Sequence, residues 1–279
     1  MNEKENKIAS KANLNTYNSS KTEEYINDAP HIKHNSVKSI YEDAVKEVFN
    51  KAKLFSRTPK VLDLGAGEGE ATLPFLKLGA KVIAVDISKS QLDSLKIKCN
   101  DYNEMLEVYC LDINKIFEEN KDKYDIVVFN SFLHHLPDYL GIIEKSLNCL
   151  SSQGCFFSFQ DPIRYDTLNF LTSKFSTIAY LSWRTTKGDI IGGLRRRIRR
   201  SRGIYYEDSL HDNAEYHATR NGVDQNAIVD LLSKNKFSCK VITYFSTQSS
   251  FFQYFGELVN LKNTFGIMAE KDSSLRSST

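Results

Sequence analysis

Cysteine is scarce in this chain of 279 residues and poorly placed for cross-linking. The five cysteines, at 99, 110, 149, 155 and 239, are odd in number, far apart and free of any CxxC pair. That excludes a disulfide framework and the usual zinc spacings, and makes a reducing cytoplasm the expected compartment. Long apolar runs are missing too. No stretch approaches the ~18 consecutive apolar residues of a membrane-spanning helix. The opening MNEKENKIASKANLN lacks the apolar core of a secretion signal. Neither charge dominates, since 37 Lys and Arg face 35 Asp and Glu for a net of +2. A general nucleic-acid coat and an acidic disordered tail protein are thereby excluded. Histidines 31, 34, 211 and 217 fall in separate segments without cysteine neighbours, so no metal is expected.

What is present is the composition of a globular protein, 41% hydrophobic and 26% charged. Residues 1–24 are rich in Lys, Asn, Ser and Glu and read as a mobile arm, within an N-terminal arm or lid over 1–35. Val37, Ile40, Tyr41, Ala44, Val45 and Val48 recur at helical spacing. From residue 60 short apolar runs alternate with helical patterns. The runs cover 60–64, 81–86, 106–111, 124–130 and 155–160, with helices near 70–78, 89–99 and 138–150. That alternation predicts an α/β fold, a parallel sheet built from strand–helix–strand units. Ser88 followed by Gln91 marks a capping box, and Gly79 and Gly154 read as stop signals. The core is expected over 36–162. A mostly helical cap over 163–237 follows, then closing strands within 238–271 and a tail over 272–279.

Residues 61–69, VLDLGAGEG, carry the most chemistry. A buried strand runs into glycines and then a helix, which lets a ligand approach the backbone. The spacing is GxGxG rather than the dinucleotide GxGxxG, and Glu68 sits where a pyrophosphate would lie. A carboxylate there repels phosphate and tolerates a cation. Asp86 ends the second strand, 21 positions after Gly65, where an acidic residue accepts from ribose hydroxyls. Asp112 and Ile113 follow the third strand, and Asn130 ends the fourth.

These motifs resemble those of the class I S-adenosylmethionine-dependent methyltransferases, over about residues 36–162 and the closing strands. The resemblance implies a Rossmann-like seven-stranded sheet with helices on both faces and the last strand antiparallel. It implies S-adenosyl-L-methionine as cofactor, held by Asp63, Gly65, Ala66, Gly67, Gly69, Asp86, Ile87, Gln91, Asp112, Ile113 and Asn130.

For catalysis, His134 and His135 follow the fourth strand, and His titrates in the range useful to a base. Asp161 adds a carboxylate at the exit of the fifth strand. Tyr17, Tyr25, His34, Tyr165, His217 and Arg220 are candidates for the acceptor pocket. Residues 195–202, RRRIRRSR, hold six arginines, readable as a solvated face, an anion grip, or a contact with RNA or an acidic membrane. The expected function is methyl transfer to a small molecule or glycoconjugate, more at oxygen than nitrogen. The alternatives are an RNA methyltransferase or an inactive cofactor-binding partner subunit, with nucleic acid disfavoured by the modest net charge.

Overall fold

The computed structural model describes residues 3–17, 30–119, 122–186 and 190–271. Seven strands form one sheet: β1 (Lys60–Leu64), β2 (Lys81–Asp86), β3 (Leu106–Cys110), β4 (Tyr124–Asn130), β5 (Leu150–Pro162), β6 (Phe237–Tyr244) and β7 (Thr264–Lys271). Their order is β3-β2-β1-β4-β5-β7-β6. Neighbours from β3 to β5 are parallel, and β7 runs antiparallel to β5 and β6. The chain leaves β1 for β2 on one side and returns to β4 on the other. That reversal opens a crevice at the carboxyl ends of β1 and β4.

In chain order the helices are α1 (Glu3–Tyr17), α2 (Pro30–Lys33), α3 (Asn35–Lys53), α4 (Thr72–Lys77), α5 (Lys89–Lys98), α6 (Ile113–Glu119) and α7 (Tyr139–Leu147). They continue as α8 (Phe170–Thr186), α9 (Ile190–Ser201), α10 (Leu210–Asn213), α11 (Gln225–Lys234) and α12 (Ser250–Leu258). Two cores form because successive strand residues point to opposite faces of the sheet. On one face Val61, Ile126, Val128 and Phe157 share a core with Val37, Tyr41, Ala44 and Val48 of α3. On the second face Leu62, Val127 and Phe156 meet Ile142, Ile143 and Leu147 of α7 and Ile228 and Leu232 of α11. No helix of the described residues is long and apolar enough to cross a membrane.

Four local readings change. The arm expected to be mobile contains α1, a 15-residue helix. Its small face is buried at Ala9 and Ala12, so tertiary contact supplies the order that apolar content does not. Gly154, read as a helix stop, lies inside β5, where a Cβ would crowd Leu150 and the Tyr124 carbonyl. The closing strands are separated by α12, a helix absent from the expected elements. Last, α11 covers the sheet rather than the strand ends, because Ile228 and Leu232 are fully buried.

Candidate functional site

The glycine turn after β1 is the floor of the crevice. Gly65 and Gly67 have φ of +75° and +52°, conformations glycine adopts freely. A Cβ on Gly65 would strike the Phe132 ring, and one on Gly67 would sit 2.9 Å from Gln91 Oε1. Gly69 instead packs on Leu95 and Cys99. The turn is tied to β2 by Gly65 N and Ala66 N, which donate to the Val85 carbonyl at 2.9 and 3.0 Å.

Asp86 holds this turn from the next strand. Its Oδ2 accepts from Gly67 N at 2.9 Å and its Oδ1 from Ser88 N at 2.8 Å. Each carboxylate oxygen retains a lone pair, and Asp86, Ile87 and Gln91 all line the crevice. Burial raises the Asp86 carboxyl above its usual range despite these backbone donors. Asp63, fully buried, accepts from Thr72 Oγ1 at 2.6 Å, while its Oδ1 has no partner among the described residues. Burial, with Asp86 nearby, pushes the Asp63 carboxyl up to about 7, against the Thr72 hydrogen bond. Glu68 bonds Lys98 at 2.7 Å. Its charge is therefore largely compensated, and like-charge repulsion of a pyrophosphate is a weaker argument than the sequence alone suggested.

The histidine side of the crevice is shaped by two unusual backbone positions. Ser131, with φ of +52°, turns the chain sharply after β4. The short helical turn Leu133–His135 then brings His134 and His135 to the crevice wall. In β5, Gln160 has φ of +67° and the register with β7 shifts between Ser158 and Asp161. Such a bulge re-aims a side chain, and here it sets Asp161 against His134. Asp161 Oδ1 lies 2.8 Å from His134 Nδ1 and accepts from His134 N at 3.0 Å. Both residues are buried, and Asp161 Oδ2 has no partner among the described residues.

His135 is differently bound. Its Nδ1 lies within hydrogen-bond reach of the Ala214 carbonyl at 2.6 Å, which fixes the proton on Nδ1 because a carbonyl only accepts. Its Nε2 can then accept from Tyr17 Oη, 3.4 Å away, and the two rings meet edge to face. Burial and the adjacent His134 hold the His135 imidazole well below the usual range, so it is neutral.

Helix α1 closes the crevice from above. Asn13 and Tyr17 line it, Ser10 Oγ donates to Asp112 Oδ2 at 3.1 Å, and Lys4 pairs with Glu207 at 2.8 Å. The remaining cavity is about 150 Å³, below the ~300–1,000 Å³ of typical small-molecule sites. Asp112 thus serves as an anchor for α1 and a cap for α6, accepting from Asn114 N at 2.9 Å. Ile113 is buried in the second core. Neither lines the cavity.

The other expected acceptor residues are spent on structure. His34 Nε2 contacts the Thr247 carbonyl at 2.8 Å, at the start of α3. Tyr165 Oη donates to the Ala218 carbonyl at 2.9 Å. His217 donates its backbone N–H to the His134 carbonyl at 2.7 Å, and burial pushes its imidazole down to about 4. Arg220 donates to the Asp212 and Tyr216 carbonyls and lies over the Tyr205 and Tyr216 rings. Tyr25 lies outside the described residues. Residues missed by sequence reasoning include Asn13 and Phe132, both on the crevice wall. Ser131, which follows Asn130 at the strand end, also lines it.

The geometry agrees with the wider likenesses of the chain. Residues 62–158 match a methyltransferase domain family. Over those residues the chain carries a methyltransferase domain. A ubiquinone biosynthesis O-methyltransferase from Aliivibrio fischeri is 33% identical over 100 residues, 36% of this chain and 43% of the relative. An uncharacterized protein of Haemophilus influenzae is 28% identical over 130 residues, 43% of this chain and 51% of the relative. The chain thus spans about half the length of these curated relatives, or less. The methyltransferase domain also shares its fold with a magnesium protoporphyrin IX methyltransferase from Synechocystis, solved with bound S-adenosylhomocysteine (SAH). That likeness has a TM-score of 0.55 at 16% identity, covering 95% of this chain and 100% of the other. A plantazolicin methyltransferase in complex with a triazolic desmethylPZN analog and SAH gives 0.55 at 14%, covering 96% of each.

S-adenosyl-L-methionine is the cofactor of this family, and the polar groups that line the crevice are complementary to it. Asp63 Oδ1 and Asn130 Oδ1 are buried acceptors without partners among the described residues, complementary to an ammonium group. Gln91 Nε2 is a buried donor in the same position, and Asp86 offers paired acceptors for a ribose diol. Buried polar atoms are rarely left unsatisfied without a ligand or water to meet them.

Proposed function

We propose that the chain transfers a methyl group from S-adenosylmethionine to an oxygen of a small organic acceptor. His134 is the general base and Asp161 its positioning residue. The observation that carries this reading is the buried 2.8 Å contact between His134 Nδ1 and Asp161 Oδ1. A carboxylate only accepts, so the imidazole proton sits on Nδ1 and Nε2 keeps its lone pair for the acceptor hydroxyl. Bound cofactor supplies an electrophilic methyl on a sulfonium. The protein's part is to align the acceptor and remove its proton.

Asp86 receives the ribose hydroxyls, Asp63 and Asn130 the ammonium, and the glycine turn lets the ligand touch backbone. His135 and Tyr17 form the wall between cofactor and acceptor. An oxygen acceptor is favoured because a hydroxyl gains most from a base, and because the ubiquinone relatives are O-methyltransferases by name. A small molecule is favoured over a glycoconjugate, since Tyr165, His217 and Arg220 are engaged inside the cap. RNA is the weaker reading. Arg199 and Arg200 are committed to Asp212 at 2.7 and 2.8 Å, which removes two cations from any phosphate grip.

The test is His134→Gln beside His135→Gln. Turnover in the first should fall by ~10²-fold or more with SAH affinity near wild type. Full turnover in His134→Gln refutes the assignment and leaves alignment alone as the source of rate.

A further inference from the structure

Helix α12 is amphipathic with its apolar side facing outward. The side turned to the body carries Gln253 and Gly256, both buried. Gln253 accepts from Thr247 N and donates to the Phe245 carbonyl. The outer side carries Phe251, Tyr254, Phe255 and Leu258, spaced i, i+3, i+4 and i+7 on one stripe. Phe251 and Leu258 are each 65% exposed. This is not the distribution of a helix whose surroundings end at water.

The same face continues onto α8. The Phe175 ring packs on Phe245 and Phe252 at 5.8 and 5.4 Å, and Phe252 meets Phe251 at 5.3 Å. Beside that seam α8 exposes Phe170, Leu171 and Ile178. Arg197 donates to Thr177 Oγ1 at 2.8 Å and so fixes α9 against α8. Along α9 and into the turn that ends it, Leu194, Ile198 and Arg202 form an exposed stripe at i, i+4 and i+8.

Charge identifies what covers this surface. Residues 170–202 contain nine Lys or Arg and a single acidic residue, in a chain whose net charge is only +2. Asp212 compensates Arg199 and Arg200 from outside that segment. The acid of α12, Glu257, accepts from Ser36 Oγ on α3 and from Gln253. We propose that α8, α9 and α12 together dock the protein on an anionic lipid bilayer. The aromatic and aliphatic side chains enter the boundary between headgroups and acyl chains, while Arg195 and Arg202 meet lipid phosphates. A bilayer offers hydrocarbon and negative charge side by side, as these helices require. A twofold pairing of two copies through the same face would set cationic segment against cationic segment.

The test is sedimentation of the full chain with vesicles of phosphatidylcholine alone or mixed with phosphatidylglycerol. Wild type should sediment with the mixed vesicles and poorly with phosphatidylcholine. The double variant Phe251→Ser, Leu258→Ser should lose at least tenfold in partitioning, given the apolar burial forgone. The double variant Arg195→Gln, Arg202→Gln should lose about thirtyfold on mixed vesicles, at ~1 kcal/mol per cation, and nothing on phosphatidylcholine. Melting temperature and SAH affinity should stay unchanged in both, which separates this proposal from the methyl-transfer reading. Absence of vesicle binding by wild type, or equal binding by the variants, overturns it. So does a dimer seen by light scattering that the Phe251→Ser, Leu258→Ser variant dissolves.

Discussion

Replacing Asp63 by asparagine should change how the stability of the ligand-free chain depends on pH. Asp63 is fully buried, and its carboxyl is pushed from the ordinary 3.8 up to about 7, first by burial. Below about pH 4 it is protonated in both the folded and unfolded states. As pH rises from there toward 7, the unfolded chain releases this proton while the folded chain keeps it. Stability therefore falls with pH by up to ~1.4 kcal/mol per unit, and levels off once the folded carboxyl ionises. Across that window the loss sums to about 4 kcal/mol. An asparagine at this position has no proton to release, and its carbonyl can still accept from Thr72 Oγ1. Measured against wild type, the Asp63→Asn variant should gain about 4 kcal/mol between about pH 4 and pH 8, or about 7 °C in Tm for a chain of this size. Thermal unfolding of both proteins across that range is the assay, and comparing them cancels the other titrating groups. The same substitution should weaken SAH binding, because a cationic ammonium loses its charged acceptor. A Tm difference that stays constant from about pH 5 to pH 8 would refute the reasoning.

Two further substitutions examine the frame around the crevice. Asp86→Ala removes the paired acceptors for a ribose diol, each worth ~1.5–3 kcal/mol near a charge, so SAH affinity measured by calorimetry should fall at least tenfold with secondary structure retained. Asp212→Ala strands Arg199 and Arg200, both paired with its buried carboxylate; against the effect of burial, hydrogen bonds from Arg199, Tyr206 N and Arg200 hold that carboxylate down to about 2. Denaturant unfolding should show a loss of ~3–5 kcal/mol, whereas a loss below ~0.5 kcal/mol would return the arginine run to the status of a solvated face.

Much of this protein was legible in the sequence by itself. Glycine tolerance for positive φ is a short-range fact, decided by each residue and its neighbours. So is the alternation that sends Val61 and Val128 to one core and Leu62 and Val127 to the other. The Ser88 cap on α5, whose Oγ accepts from Gln91 N, is equally local. The α/β class, the crevice floor and the candidate His134, His135 and Asp161 all follow from signals of that kind. What the linear order does not contain is which side chain meets which across the sheet. His134 and Asp161 are 27 positions apart and become a pair only through the turn at Ser131 and the bulge at Gln160. The six arginines look alike in sequence, yet buried Asp212 draws Arg199 and Arg200 inward while Arg195 and Arg202 stay outside. Helix α1 lacks an apolar stripe and takes its order from Asp112, Glu207 and His135, all distant in the chain. The direction faced by α12 is likewise unreadable from its pattern, because an apolar stripe predicts burial. Only the packing of Gly256 against Phe245 and of Gln253 beneath it turns that stripe outward. Local backbone preference is encoded residue by residue, whereas burial and charge pairing depend on partners that the fold alone brings within reach.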